Sequence, residues 1–397
     1  MARLGDLFLH IRNGANIKQG LDNTGYPITR IETISNRTVD RNKMGYAGIT
    51  DLEKYSDFVM QDGDILMSHI NSETHLGKTA LYKKEGDEII IHGMNLLSLR
   101  PNKDLITSKY AFYYLSSQSF LRQIPNITKK SVNQSSFTVS ALKELVFPLM
   151  SIEKQKKITV DLDKVNDLIS LRKQQLSKLD ELVKSRFIEM FGDPTLNPYN
   201  WKIVNITEVV GGKVTNGFFA KRDEYIDNGN VKVLGVANIV NRMYSNVADL
   251  PRTNGTASDI QKFEVRYGDM LFCRSSLVEE GIGKASIVPY DVLPKTLFEC
   301  HVIRLPLDLN KCVPEFMQVL STTDYFRNQI IAQSKTATMT TIGQDGILKA
   351  MIILPPIEKQ KQFLDFVKQT DKSKFEIQKS LEKLETLKKA LMQKYFG

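Results

Sequence analysis

The last forty-one residues of the chain, Ile357 to Gly397, repeat Ile152 to Gly192 without a gap, at an offset of 205. Both copies open on Ile-Glu-Lys-Gln-Lys, at Ile152 to Lys156 and Ile357 to Lys361, and both close on Phe-Gly. A chain that carries one long element twice, each time after a stretch of mixed sequence, is built as two half-molecules. A fixed internal repeat therefore constrains the architecture before any local motif does.

The first copy holds a 4-3-4-3 ladder through Ile158, Leu162, Val165, Ile169, Arg172, Leu176, Leu179, Val183, Arg186 and Met190. In the second copy the ladder is Phe363, Val367, Thr370, Lys374, Ile377, Leu381, Leu384, Lys388, Leu391 and Tyr395. An a/d pattern held this long is a coiled-coil seam. Neither segment contains Pro or an internal Gly. The spacing predicts a long helix over 152–192 and another over 357–397, pairing with each other. The pairing should be antiparallel, because the first leads out of one globular half and the second leads back. Arg172, Lys374 and Lys388 would fix the register at some cost in stability.

The repeat continues weakly into the globular parts, 1–151 and 193–356. Asn13-Gly14 answers Asn216-Gly217, Ile34 and Arg37 answer Ile239 and Arg242, and Gly63-Asp64 answers Gly268-Asp269. Gly77-Lys78 is followed in the same way by Gly283-Lys284. Glu88 to Leu99 and Phe298 to Leu305 read as strands. Ser108 to Gln123 and Pro314 to Gln329 read as amphipathic helices, and Leu145 to Leu149 and Ala350 to Leu354 as further strands. The expected fold is α+β, with two repeated globular modules, two long helices as an antiparallel coiled coil and a pseudo-two-fold internal repeat. Gly192 and the prolines at 194 and 198 end the first helix and mark the boundary between halves.

Composition narrows the class. Cys273, Cys300 and Cys312 form no Cys-x-x-Cys pair, which fits a reducing compartment and argues against a disulfide framework. No signal-peptide pattern and no membrane-length apolar run is present, so a cytoplasmic location is expected. The net charge of +9 divides into +3 for residues 1–152, +2 for 153–192, zero for 193–356 and +4 for 357–397. That modest, dispersed surplus is compatible with nucleic acid without demanding it.

Enzymatic motifs fail on inspection. Gly77-Lys78-Thr79 resembles the end of a phosphate-binding loop, but Ser72 occupies the position of the required earlier glycine. Asn197-Pro198-Tyr199 lacks the second proline of the methyltransferase element it resembles and reads as linker. His69 and His75 with Glu73 have no further ligand at metal spacing. No catalytic residue and no metal site emerges, so the chain reads as a binding protein.

Its candidate contacts are the polar side chains suited to phosphates and base edges. In the first half these are Lys18, Gln19, His69, Asn71, Ser72, Lys78, Lys129, Lys130 and Asn133. In the second they are Lys221, Arg222, Arg274, Ser275, Ser276, Lys284, Lys335, Thr338 and Thr340. Lys78 and Lys284 recur in both halves and suit phosphate contact or a structural role. Arg274 to Ser276 differ from their counterparts around Ser68 to Ile70 and are better suited to reading bases.

The order module, helix, module, helix resembles the specificity subunit of Type I restriction–modification systems. The junction Met190-Phe191-Gly192-Asp193-Pro194 with Asn197-Pro198 and Trp201 is similar to that family's. So are the helix openings Leu354-Pro355-Pro356-Ile357-Glu358-Lys359-Gln360 and Phe147 to Gln155, and the paired Gly-Asp elements. Met150-Ser151 departs from the prolines usual there, and Leu4-Gly5-Asp6 lacks the Trp-containing lead of the second module. The resemblance implies a non-catalytic subunit whose two target recognition domains each bind one half-site of a bipartite DNA sequence, with the helices as spacer. It implies two methyltransferase subunits using S-adenosylmethionine, and two restriction/translocase subunits using ATP and Mg²⁺. A two-module coiled-coil scaffold or peptide-binding protein is the alternative, and a fragment of a single-chain restriction enzyme a third reading.

Overall fold

The two repeat segments form helices Ile152–Phe191 and Ile357–Phe396, 40 residues each. At 1.5 Å per residue each is about 60 Å long. The computed structural model describes residues 2–397 apart from 19, 21–23, 35–36 and 132–133. It divides into two compact units, residues 1–173 with 379–397, and residues 174–378. Each unit therefore contains the start of one long helix and the end of the other. Ser151, where the second copy has Pro356, accepts the Lys154 amide at its hydroxyl (3.4 Å) and so caps the first helix. Gly192 ends that helix at φ 76°, where a Cβ would lie 2.4 Å from the Pro198 ring. Trp201 seals the turn by donating its indole N–H to the Phe191 carbonyl (2.9 Å).

The glutamine of the repeated pentapeptide explains why that motif recurs. Gln155 and Gln360 are both fully buried. Gln155 donates to the carbonyls of Leu105 (3.0 Å) and Met150 (2.8 Å) and accepts the Thr107 amide (2.8 Å). Gln360 donates to the carbonyls of Pro355 (2.8 Å) and Lys311 (3.4 Å) and accepts the Val313 amide (2.9 Å). Each glutamine thus ties a long helix to the loop that enters a module helix, Ser108–Leu115 in the first half and Pro314–Ser321 in the second. It also satisfies backbone groups that burial would otherwise leave unpaired.

Both units pair the two helices start against end. In the first, Tyr395 donates to Asp161 (2.7 Å) and Lys173 lies 3.6 Å from Glu385. In the second, Lys374 lies 2.7 Å from Asp180, and the Phe187 and Phe363 rings meet at 5.7 Å. The helices are antiparallel. Ile158, Leu162, Val165, Ile169, Val183, Phe363, Val367 and Leu381 are buried; Leu176, Leu179, Ile377, Leu384 and Leu391 are half-buried. The 3.5-residue ladder fails at its ends. Beyond Val183 the buried positions are Phe187 and Phe191, not Arg186 and Met190, and Phe396 is buried rather than Tyr395. There the helix packs on its module (Phe187 and Phe191 lie 5.5 and 4.9 Å from Phe316) and follows the 3.6-residue period of a straight helix.

Each module is built on a four-stranded antiparallel sheet of the same order. In the first the order is Phe8–Asn13, Leu96–Pro101, Ile65–Ser68, Thr79–Leu81. In the second it is Thr215–Asn216, Val302–Leu305, Met270–Cys273, Ala285–Ile287. Gly63 and Gly268 enter the central strands at φ 92° and 85°, a conformation that favours glycine. The aspartates after them close the turn, Asp64 accepting the Gln61 amide (2.8 Å) and Asp269 the Arg266 amide (2.9 Å).

Three expectations are corrected. The stretch 88–95 passes through isolated bridges, and the strand begins only at Leu96. The stretch 298–305 is two strands, Thr296–Phe298 and Val302–Leu305, separated by a turn. The two amphipathic helices are each broken, into Ser108–Leu115 and Gln118–Leu121, and into Pro314–Ser321 and Asp324–Ala332. Ser117 and Thr323 start the second pieces, their hydroxyls accepting the amides of Phe120 and Phe326. Such side chains compete with the helical backbone and favour caps.

Glu315, 1% exposed, accepts the Tyr244 hydroxyl (2.9 Å). Burial raises its pKa, opposed by its backbone hydrogen bond, Tyr244 and Lys368 and reinforced by Asp371. A raised folded pKa means that the native state holds the proton more tightly than the unfolded chain. This contribution is full below the ordinary carboxylate range and is lost as pH rises through the folded value. Glu315→Gln keeps an acceptor for Tyr244 and removes the buried charge. It should raise the thermal midpoint at pH 7, with the gain vanishing below about pH 4. A gain that persists unchanged in acid would show that the charge is not its origin.

Candidate nucleic-acid interface

In each module two segments far apart in sequence meet in a small three-stranded sheet. In the first, hairpin strands Lys129–Lys130 and Ser135–Ser136 join Ile70–Asn71, with Asn71 opposite Ser135 and Lys130 opposite Ser135 on the other side. In the second, Lys335–Thr336 and Thr340–Thr341 join Ser275–Ser276, with Ser276 opposite Thr340 and Lys335 opposite Thr341. Candidates from separate polar stretches, Asn71 with Lys129 and Lys130, and Ser275 and Ser276 with Lys335 and Thr340, are thereby brought together.

The supporting hydrogen bonds recur. Ser68 donates its amide to the Lys78 carbonyl (2.9 Å) as Cys273 does to Lys284 (2.8 Å). The amides of Gly77 and Gly283 return to the carbonyls of Ser68 and Cys273, both at 2.8 Å. The amides of Phe137 and Ile342 go to the carbonyls of His69 (3.1 Å) and Arg274 (3.0 Å). On this common frame the side chains differ. His69 is 6% exposed, stands edge-on to Phe137, and burial lowers its pKa to about 4, so it is neutral at pH 7. Arg274, in the same place, is half-buried and donates one guanidinium N–H to the Cys300 carbonyl (3.1 Å). Its planar fork keeps further donors in a fixed orientation.

The remaining candidates divide. Ser72 is exposed beside Asn71, and its hydroxyl lies 2.9 Å from His75 Nδ1. Lys130 pairs with Glu73 (2.9 Å) at the surface, where such a pair contributes little stability. Thr338 is exposed in the 335–341 hairpin, while Thr340 is buried with its hydroxyl 3.0 Å from that of Thr336. Lys18, Lys221 and Arg222 are exposed and belong to neither small sheet. Gln19 and Asn133 lie outside the described residues.

Lys78 is half-buried behind Gly77. Lys284 donates to the Asn241 side chain (2.7 Å) in a cavity of about 410 Å³ that Lys184, Arg242, Arg327 and Lys374 also line. Asp180, the one carboxylate there, is paired with Lys374. Arg242 was not among the candidates, although its match to Arg37 in the repeat was the signal for it. His75 and Glu73, which the sequence suggests only as ligands of an incomplete metal site, stand beside Ser72 and Lys130. Among the described residues no group of three or more His, Cys, Asp or Glu is placed to hold a metal ion. No helix among them is long and apolar enough to cross a membrane.

Comparison with known proteins adds a family. The family model for the Type I restriction modification DNA specificity domain matches residues 1–181 and again residues 198–389. The putative type I restriction enzyme MjaX specificity subunit of Methanocaldococcus jannaschii is 40% identical over 206 residues. That match covers 52% of this chain and 48% of the relative, so the chain spans about half of that protein's length. The MjaVIII specificity subunit of the same organism is 23% identical over 357 residues, 85% of this chain and 79% of the relative. Among solved structures, the S subunit of a Type-I restriction-modification system from M. genitalium superposes with a TM-score of 0.55 at 12% identity. It covers 100% of this chain and 95% of that one. A chain from a study of complex assembly and conformational transition of the type I R-M system gives 0.53 at 15% identity, covering 100% and 96%. At such identities the structural likeness is one of fold. With the family model matched across both halves, the chain belongs to the Type I restriction modification DNA specificity family and carries two such domains.

Proposed function

We propose that the chain is the sequence-reading, non-catalytic subunit of a Type I restriction–modification complex, each module binding one half of a bipartite duplex target. The observation that carries this is the pair of small sheets: one hydrogen-bonded frame, built twice, with different side chains on it. A frame repeated with altered contacts is what two different half-sites require. The helices then serve as spacer and docking surface for two methyltransferase and two restriction subunits. S-adenosylmethionine, ATP and Mg²⁺ belong to those subunits.

Phosphate contacts position a protein on DNA, and base contacts specify the sequence. Lys284, in its basic cavity, suits the first role and Arg274, held by the Cys300 carbonyl, the second. Lys284→Ala should weaken binding to every duplex alike and reduce the salt slope by about 1. Arg274→Ala should cost about 1–3 kcal/mol on the cognate site and little on scrambled DNA. Titrations of both variants at several salt concentrations, with thermal melts to confirm folding, check the assignment. The reverse pattern would exchange the two roles. Absence of any salt-dependent duplex binding, even with a methyltransferase subunit present, would leave the two-module scaffold reading instead.

A further inference from the structure

Between the anchors shared by the two modules, the chain makes a short tip next to each small sheet. The first tip follows Asn71 and ends at Gly77; the second follows Ser276 and ends at Gly283. The first is polar throughout its exposed part. Ser72, Glu73, Thr74 and His75 are exposed, and the His75 Nδ1 lies 2.9 Å from the Ser72 hydroxyl and 3.0 Å from that of Thr74. The second presents Leu277 and Val278, 81% and 59% exposed, ahead of exposed Glu279 and Glu280. Leu277 is the most exposed large apolar side chain among the described residues.

The contrast identifies the occupant. A partner protein bound in two copies, one per module, would select the same tip twice. Both tips carry exposed carboxylates, but only the second adds exposed apolar side chains to the shared hydrogen-bonded frame, so what they meet must differ between modules. Under the DNA-binding reading, on which this inference rests, the ligand that differs is the base sequence. The major groove offers one apolar group to a protein, the thymine 5-methyl.

We infer that Leu277, flanked by Val278, contacts a thymine 5-methyl in the half-site read by the second module. The first module's tip instead presents His75, oriented by Ser72 and Thr74, to a polar base edge. Leu277 is a specificity residue whose contribution comes from one buried methyl contact, while Arg274, three residues before it, supplies hydrogen bonds.

Uracil differs from thymine only by that methyl, so the contact can be removed from either side. The full chain is titrated with its selected duplex, each thymine replaced in turn by uracil. At one position in the second half-site the substitution should weaken binding about fourfold, the worth of burying one methyl-sized group. Leu277→Ala should lose a similar factor on the thymine duplex and show no further loss on the uracil duplex. His75→Ala should alter base preference in the first half-site alone. Tight, sequence-selective binding with every uracil neutral overturns the inference while the DNA-binding reading stands. A second half-site without an A·T pair, or an unchanged uracil penalty in Leu277→Ala, overturns it too. Failure to bind any duplex removes both.

Discussion

Replacing residues 193–356 with the matching segment of another two-module specificity chain should exchange one half of the recognised sequence and leave the other unaltered. The joints favour it. Gly192 ends the first helix, and Pro355-Pro356 precedes the second. The groups that Gln360 binds are all backbone, at Lys311, Val313 and Pro355, so an incoming module can satisfy it with other side chains. The contact that must be preserved is Phe316, against which Phe187 and Phe191 pack. An acceptable donor keeps a large apolar residue there. Specific sites are typically bound roughly 10³-fold or more tightly than random DNA. That ratio should move to the new half-site, as read by duplex selection or by the methylation pattern of cells carrying the chimaera. Simultaneous change of both half-sites would contradict the division of labour between modules.

Asp64→Ala should cost the first unit about 3–5 kcal/mol, the usual penalty for breaking a buried ion pair by removing one partner. The Asp64 side chain is 1% exposed and takes two guanidinium bonds from Arg100, each 2.8 Å, besides the Gln61 amide. Its counterpart is looser. Arg304 stands 4.0 Å from Asp269 and turns its guanidinium to the carbonyls of Glu264 and Lys262. Burial accordingly raises the Asp269 pKa, against weaker opposition from the Arg266 amide and Arg304. Asp269→Ala should therefore cost clearly less. Urea unfolding of the two variants compares them, and equal penalties would show that the tighter geometry is not what matters. The larger penalty is a large fraction of the whole stability of an ordinary domain.

The parts of the fold legible in the sequence were those that span many residues. A heptad ladder over forty positions averages out individual exceptions such as Arg172, and the pentapeptide repeat located both helix starts. The ends of the ladder were misread because the seam gives way to module packing at Phe187 and Phe191, and periodicity alone does not show which neighbour a helix meets. The broken helices turned on single hydroxyls, Ser117 and Thr323, whose capping role depends on local backbone geometry. The small sheets could not have been read in advance. A strand of two residues, such as Ile70–Asn71, has no alternation to detect, and its partner Ser135–Ser136 lies more than sixty positions away. Polar composition alone placed the candidates there; long-range pairing joined them.

The tie between Tyr395 and Asp161 joins residues 234 apart in the chain. Phe396 lies in the first unit's core, against the rings of Tyr110 and Tyr114 at 5.4 and 5.8 Å. During synthesis, then, the module made first is completed last. It leaves the ribosome with an open apolar surface and must wait for the second module to be translated before the closing helix arrives. Such distant closures slow folding and prolong exposure of unfinished surface. A nonsense codon in the last few turns would accordingly damage the module encoded at the start of the gene.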